Sequence, residues 1–194
     1  MLIYLFGGSD SGKSAFAESL VGDFAGSEKE KIYLATMDGS KEYNRATIQG
    51  HLTRRAGKNF RTIECPYDLH EAVQVLRGED ETCESGRVIL LECLSNLVSN
   101  QLFGEDSKWS QNYMTGGNSQ VLDAIHQADM HGIRELENCC DTLIIVGNNL
   151  FEDGGEYDEL TTGYMKALSA LQSGVAASAD EVYEVVAGIV RHIR

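Results

Sequence analysis

The chain has 194 residues, 42% of them apolar and 24% charged, and 16 Lys plus Arg against 30 Asp plus Glu leave a net charge of −14. That length and balance suit one globular domain and exclude disordered and collagen-like classes. A sequence-independent hold on nucleic acid, or a polybasic hold on membranes, needs a basic face, so neither is expected as a partner.

In chain order, Leu2–Phe6 is the first expected strand, an apolar run without a charged leader that ends at glycine after six residues. Phe16, Leu20 and Phe24 then recur at helical spacing. Further strands are expected at Ile32–Thr36, Arg61–Glu64, Val88–Glu92, Thr142–Val146 and Val182–Val190, and Pro66 marks a turn after the third. Val88-Ile89-Leu90-Leu91 lacks polar alternation, as in a strand covered on both faces. Gly104–Gly117 reads as a long loop around Trp109, and Ser119–Asn138 as a helix with Leu122, Ile125 and Ile133 on one face. A last amphipathic helix carries Tyr157, Leu160, Tyr164, Leu168, Leu171 and Val175. Strands alternating with helices predict an α/β fold with a mainly parallel sheet.

The chemistry begins at Gly7-Gly8-Ser9-Asp10-Ser11-Gly12-Lys13-Ser14, which fits G-x-x-x-x-G-K-[ST] between a strand and a helix. Glycines let consecutive backbone N–H groups face phosphate oxygens, and the helix adds its positive end. Lys13 supplies a charge for the β- and γ-phosphates, and the Ser14 hydroxyl can ligate Mg²⁺. Glu92, closing Val88–Leu91, is the candidate acidic partner for that metal. Residues 1–194 are therefore expected to form one P-loop NTPase-like three-layer domain that uses Mg²⁺ and a nucleoside triphosphate, GTP or ATP.

Arg45, Arg54, Arg55, Lys58 and Arg61 gather around His51 in an otherwise acidic chain. They suit phosphate binding or charge stabilisation during transfer, or else form a solvated helix face. His51 is open between a structural or surface role and that of a nucleophile or general base. Glu152, Asp153, Glu156, Asp158 and Glu159 read as a loop and a helix N-terminus. The cysteines Cys65, Cys83, Cys93, Cys139 and Cys140 include no C-x-x-C pair, so no zinc site is suggested and a cytoplasmic protein is expected; the adjacent Cys139 and Cys140 read as thiols or a redox pair.

Taken together, several segments resemble the adenosylcobinamide kinase/adenosylcobinamide-phosphate guanylyltransferase family. They are the phosphate loop with Ala17-Glu18, Tyr33-Leu34-Ala35-Thr36, Ile48-Gln49-Gly50-His51 with Arg55, Arg61-Thr62-Ile63-Glu64, Leu90-Leu91-Glu92-Cys93-Leu94-Ser95 with Val98-Ser99-Asn100, and Ala179–Val186 with Ala187-Gly188. Of the family's Asn-Glu-Val-Gly segment after the fifth strand, only Asn148 persists.

The resemblance implies phosphorylation of a corrinoid alcohol and transfer of GMP from GTP onto that phosphate through a guanylylated histidine at His51. It also implies nucleotide contacts by Arg55, Glu64 and Glu92, and a homo-oligomer. The residues themselves leave open a kinase of another small hydroxylated substrate, or a GTP-binding relative without transfer activity.

Overall fold

β1 (Leu2–Gly7) runs through the middle of the sheet and delivers the phosphate loop at its C-terminal end. The protein is described here by a computed structural model covering residues 1–78, 86–116, 118–150 and 155–194. After the loop come α1 (Lys13–Ala25), β2 (Glu30–Ala35), a single 3₁₀ turn at Glu42–Asn44 and α2 (Arg45–Arg55). β3 (Phe60–Glu64), α3 (Leu69–Arg77), β4 (Arg87–Glu92), α4 (Leu94–Phe103), α5 (Ser110–Met114) and α6 (Asn118–Glu137) follow. The chain ends with β5 (Thr142–Asn148), α7 (Glu159–Ser178), β6 (Glu181–Val186) and β7 (Ile189–His192).

The strands form one seven-stranded sheet in the order β3-β2-β4-β5-β1-β6-β7. All neighbouring pairs are parallel except β6 with β7. Alternate side chains of each strand feed the two faces. Leu2, Tyr4, Ile89, Leu91, Leu143 and Ile145 pack under α3, α4, α6 and α7. Ile3, Leu5, Val88, Leu90, Ile144 and Val146 pack under α1. The expected three-layer α/β architecture is the one observed. Every residue of β4 is buried, so its continuous apolar run follows from having helices on both sides. Because parallel strands share a direction, the turns leaving β1, β2, β4 and β5 open at the same edge, where a site can form.

Four expectations change. The predicted strand Val182–Val190 is instead a hairpin of β6 and β7, turned at Ala187 and Gly188, which have φ of 49° and 80°. The stretch from Gly104 is not loop throughout: Ser110–Met114 is helical because Tyr113, fully buried, anchors it and donates from its hydroxyl to the Leu160 carbonyl. A five-residue helix is too short to show a period, so only that tertiary contact reveals it. On α1 the fully buried face is Ala17, Glu18, Val21 and Ala25; small residues allow close approach to the sheet, while Phe16, Leu20 and Phe24 pack half-buried along its flank. On the last helix, Leu168, Leu171 and Val175 are buried, but Tyr157 precedes α7 and is exposed.

Asp158 caps α7 by accepting from the Thr161 N–H at 2.8 Å, and Glu159 lies in its first turn, as the reading of those acidic residues expects. Glu152 and Asp153 lie outside the described residues, as do Cys83 and Gly117. Cys140 is a free thiol, so Cys139 and Cys140 do not pair with each other. Among the described residues no helix is long and apolar enough to cross a membrane.

Candidate active site

The phosphate loop is held tightly against the sheet. A Cβ added to Gly7 would stand 2.3 Å from the Val185 carbonyl oxygen, so only glycine lets the loop leave β1 this close to β6. Gly12, with φ of 94°, turns the chain into α1 through a backbone region closed to most residues. The Gly188 N–H donates to the Ser11 carbonyl at 2.8 Å and braces the loop from the β6–β7 turn. No side chain caps the N-terminus of α1 and no acidic residue occupies its first turn, which leaves its N–H groups and positive end for an anion.

Lys13 is buried and its Nζ donates to the Gly8 carbonyl at 2.9 Å, which folds the side chain back over the loop. Burial lowers its proton affinity, with nearby Cys93, Glu92 and Asp10 opposing the effect. The Ser14 hydroxyl donates to Glu92 Oε1, and the Tyr33 hydroxyl donates to Oε2 at 3.0 Å. Burial, then the Glu92 charge, raises the phenol pKa far above the usual range, so Tyr33 stays a hydrogen-bond donor. Glu92 sits at the end of β4 because Thr36, just past β2, clamps the following residue: its hydroxyl donates to the Cys93 carbonyl at 2.8 Å and accepts from the Cys93 N–H at 2.7 Å.

The helix α2 lies over this edge by polar contacts rather than by a buried apolar face. Its one buried residue is Arg55, whose guanidinium stands 3.3 Å from the centroid of the Tyr33 ring. Arg55 Nε donates to the His51 carbonyl at 3.2 Å, while its Nη1 has no partner among the described residues. From α1, the fully buried Glu18 carboxylate accepts from Arg54 at 3.0 Å and from Lys58.

These tethers bring His51 Nδ1 to 3.5 Å from the Tyr33 hydroxyl and 2.9 Å from Arg54 Nη2. A guanidinium only donates, so Nδ1 accepts and the neutral ring carries its proton on Nε2. Burial pulls the His51 pKa below the usual histidine value, helped by Arg54 and Arg55 and opposed by Glu92 and Glu18.

Lys13, Ser14, Tyr33, His51, Arg54, Arg55 and Glu92 line one cavity of about 580 Å³, inside the range of small-molecule sites. Ser9, Asp10, Ser11 and Gly12 of the loop line it too, as does Cys93 after β4. Glu64, at the end of β3, reaches it beside Ile48, Leu52 and Thr62. Gly7 and Gly8 shape the loop without facing the cavity.

Three of the five cations point elsewhere: Arg45 pairs weakly with Glu42 at 4.0 Å, Lys58 with Glu18, and Arg61 with Glu30 at 3.2 Å. Two residues at the heart of the arrangement carried no role in the sequence reading. Tyr33 shows itself only as a phenol inside an apolar strand, and Glu18 as an acid on the apolar face of α1. Among the described residues no three His, Cys, Asp or Glu side chains form a metal cluster. The adjacent Ser14 and Glu92 oxygens do match the donor set of a hard cation that takes one or two protein oxygens and fills its shell with phosphate and water.

Comparison with known proteins follows the same lines. The model of the family described as "Cobinamide kinase / cobinamide phosphate guanyltransferase" matches residues 3–193. "Bifunctional adenosylcobalamin biosynthesis protein CobU" of Salmonella typhimurium is 29% identical over 192 residues, covering 97% of this chain and 97% of that protein. The Escherichia coli protein of the same description is 28% identical over 97% of each chain. "Bifunctional adenosylcobalamin biosynthesis protein CobP" of Pseudomonas aeruginosa is 28% identical, covering 95% of this chain and 92% of that protein.

Proposed function

The chain belongs to the cobinamide kinase / cobinamide phosphate guanyltransferase family, and from that premise we propose that it phosphorylates the alcohol of adenosylcobinamide and then joins GMP from GTP to that phosphate through His51. The observation that carries this reading is the meeting of His51 with the phosphate loop in one cavity of one chain, through Tyr33 and Glu92. We read residues 1–194 as a single domain acting as a cytoplasmic homo-oligomer.

The triphosphate lies along Gly7–Ser14 and the open N-terminus of α1. Lys13 exchanges the Gly8 carbonyl for β- and γ-phosphate oxygens, whose charge restores the proton affinity that burial lowers. Ser14 and Glu92 hold Mg²⁺, which when bound neutralises charge on the phosphates. Glu64 accepts from the N–H edge of guanine, which packs on Ile48 and Leu52.

In the guanylyl step the His51 lone pair attacks the α-phosphorus. The N–P bond forms as the bond to the bridging oxygen breaks, and pyrophosphate leaves with that electron pair. Arg54 moves from Nδ1 to the phosphate oxygens, where with Arg55 it spreads the developing charge. A phosphate oxygen of the corrinoid product then attacks the same phosphorus, breaks the P–N bond and returns the ring to its starting state.

Incubation with GTP labelled at the α-phosphate, followed by denaturation and mass mapping, tests the reading. Label is expected on His51 in an acid-labile, alkali-stable bond, and His51→Ala abolishes it while retaining GTP binding. Label surviving in His51→Ala, or none in the parent with Mg²⁺ and GTP, overturns the assignment.

A further inference from the structure

Three buried polar atoms on the cavity wall have no hydrogen-bond partner among the described residues: Ser11 Oγ, Arg55 Nη1 and Asn148 Oδ1. The first two can donate, and unpaired donors are what a polyanion site requires. The third is an acceptor. A bare carbonyl oxygen repels phosphate, so its partner is a hydrogen-bond donor or a cation.

Everything else on Asn148 is tied down. Its Nδ2 donates to Ser95 Oγ at 2.7 Å and faces Cys93 Sγ at 3.8 Å. Its carbonyl accepts from Gln172 Nε2 at 3.0 Å, and Gln172 in turn accepts from the Tyr4 hydroxyl at 2.6 Å. The next residue donates its N–H to the Gly7 carbonyl at 2.9 Å. Asn148 lines the cavity, and with its amide nitrogen committed to Ser95 the amide oxygen is left buried without a partner among the described residues.

Its position is equally constrained. β5 lies between β1 and β4, Asn148 is in register with Gly7 at the root of the phosphate loop, and it stands two residues past Val146, the partner of Glu92. Asn148 therefore leaves the sheet between the loop assigned to the phosphates and the acid assigned to the metal.

We propose that Asn148 is a catalytic residue of the phosphoryl-transfer step, whose Oδ1, fixed by Ser95, accepts the hydrogen of the corrinoid alcohol and aims its oxygen at the γ-phosphorus. This deepens the functional reading above and rests on it. The alcohol O–P bond forms as the bond from the γ-phosphorus to the bridging oxygen breaks, and the nucleoside diphosphate leaves with the bridging electron pair. The hydroxyl proton ends on an oxygen of the transferred phosphoryl group, because an amide oxygen is too weak a base to keep it. Orientation of this kind contributes to the rate without contributing to nucleotide affinity. Attack on the α-phosphorus by His51 involves no alcohol and makes no use of Asn148.

The test uses the full chain with GTP, Mg²⁺ and adenosylcobinamide, and follows phosphorylated corrinoid separately from α-label on His51. Asn148→Ala is expected to lower kcat for phosphorylation about 100-fold, with the KM for GTP, the Mg²⁺ requirement and His51 labelling each within about threefold of the parent. Asn148→Asp, which keeps the shape and an acceptor oxygen, recovers at least about tenfold of that kcat loss but raises the KM for GTP through its charge. If the alanine variant does not fold, this kcat-against-KM pattern in the aspartate variant decides the matter. Unchanged phosphorylation, a parallel fall in phosphorylation and His51 labelling, or a shifted Mg²⁺ requirement overturns the inference alone. A parent protein that phosphorylates no corrinoid overturns the functional reading and this inference with it.

Discussion

The guanidinium of Arg55 lies 3.3 Å from the centroid of the Tyr33 ring, and this contact fastens α2 to the sheet. The same phenol donates to Glu92 at 3.0 Å and stands 3.5 Å from His51. One side chain thus links the arginine proposed to face the phosphates, the acid proposed to hold the metal and the histidine proposed to carry GMP. Half-buried cation–π contacts contribute about 1 kcal/mol, enough to bias the position of a helix that has little apolar anchorage of its own.

Tyr33 variants separate those duties. Tyr33→Phe keeps the ring under Arg55 and removes the donor to Glu92; a fall of about tenfold in His51 labelling is expected, with hydrogen exchange in residues 45–55 unchanged. Tyr33→Leu also removes the ring, and exchange across α2 should then accelerate. Equal exchange in the two variants would show that the ring does not hold the helix.

Lys13→Ala removes a charge-assisted contact to the triphosphate, and calorimetry should show GTP and ATP affinity reduced about 10- to 100-fold in a protein that still folds. Glu92→Gln keeps the shape at the end of β4 but loses the negative oxygen beside Ser14, so the Mg²⁺ titration of GTP turnover should move to higher concentration. Superimposable titrations of parent and variant would reduce Glu92 to a strand terminus.

The pH dependence of labelling follows from the environment of His51. Its pKa is depressed, so the ring remains neutral and nucleophilic below the ordinary value of 6.5, and labelling should stay constant through neutral pH and fall only on the acid side of that value. Arg54→Ala removes a positive neighbour and should shift this acid limb upward. A limb that does not move would place Arg54 away from the ring in solution.

Asp129 of α6 predicts a pH effect on stability instead. Its carboxyl is 2% exposed, accepts from Gln101 at 2.7 Å through Oδ1, and has no partner for Oδ2 among the described residues. Burial pushes its pKa from 3.8 up to about 7. The folded chain therefore binds the proton more tightly than the unfolded one. The stability from this group is complete below about pH 4 and is lost as pH rises to about 7. Asp129→Asn has no charge to bury, so its unfolding free energy, read from denaturant titrations, should rise relative to the parent between pH 5 and 8, by an amount on the order of 3 kcal/mol. A difference that does not change with pH would mean that the carboxylate is already ionised in the fold.

The sequence alone was enough for the α/β alternation, the phosphate loop, Glu92 and the family. Gly7–Ser14 is legible because its chemistry and its backbone geometry reside in consecutive residues. Val88–Leu91 is legible because burial on both faces imposes a composition. Where neighbours along the chain decide the outcome, reading the chain suffices.

The tertiary structure decided what depends on partners far apart in sequence. Arg54 and Arg55 line the site while Arg45, Lys58 and Arg61 do not: Glu42 and Glu30 take Arg45 and Arg61, and Glu18 holds Lys58 and Arg54 together, and no spacing rule records which acid lies nearest. The hairpin at Ala187–Gly188 interrupts an apparently continuous strand because positive φ at two adjacent positions reverses the chain, and the turn in turn braces the phosphate loop. Asn148 stands out only once Ser95 and Gln172 have taken its other polar groups and left one buried oxygen without a partner among the described residues. Residue chemistry is carried by sequence, but the direction in which a polar atom points is set by which of its alternatives the fold has already satisfied.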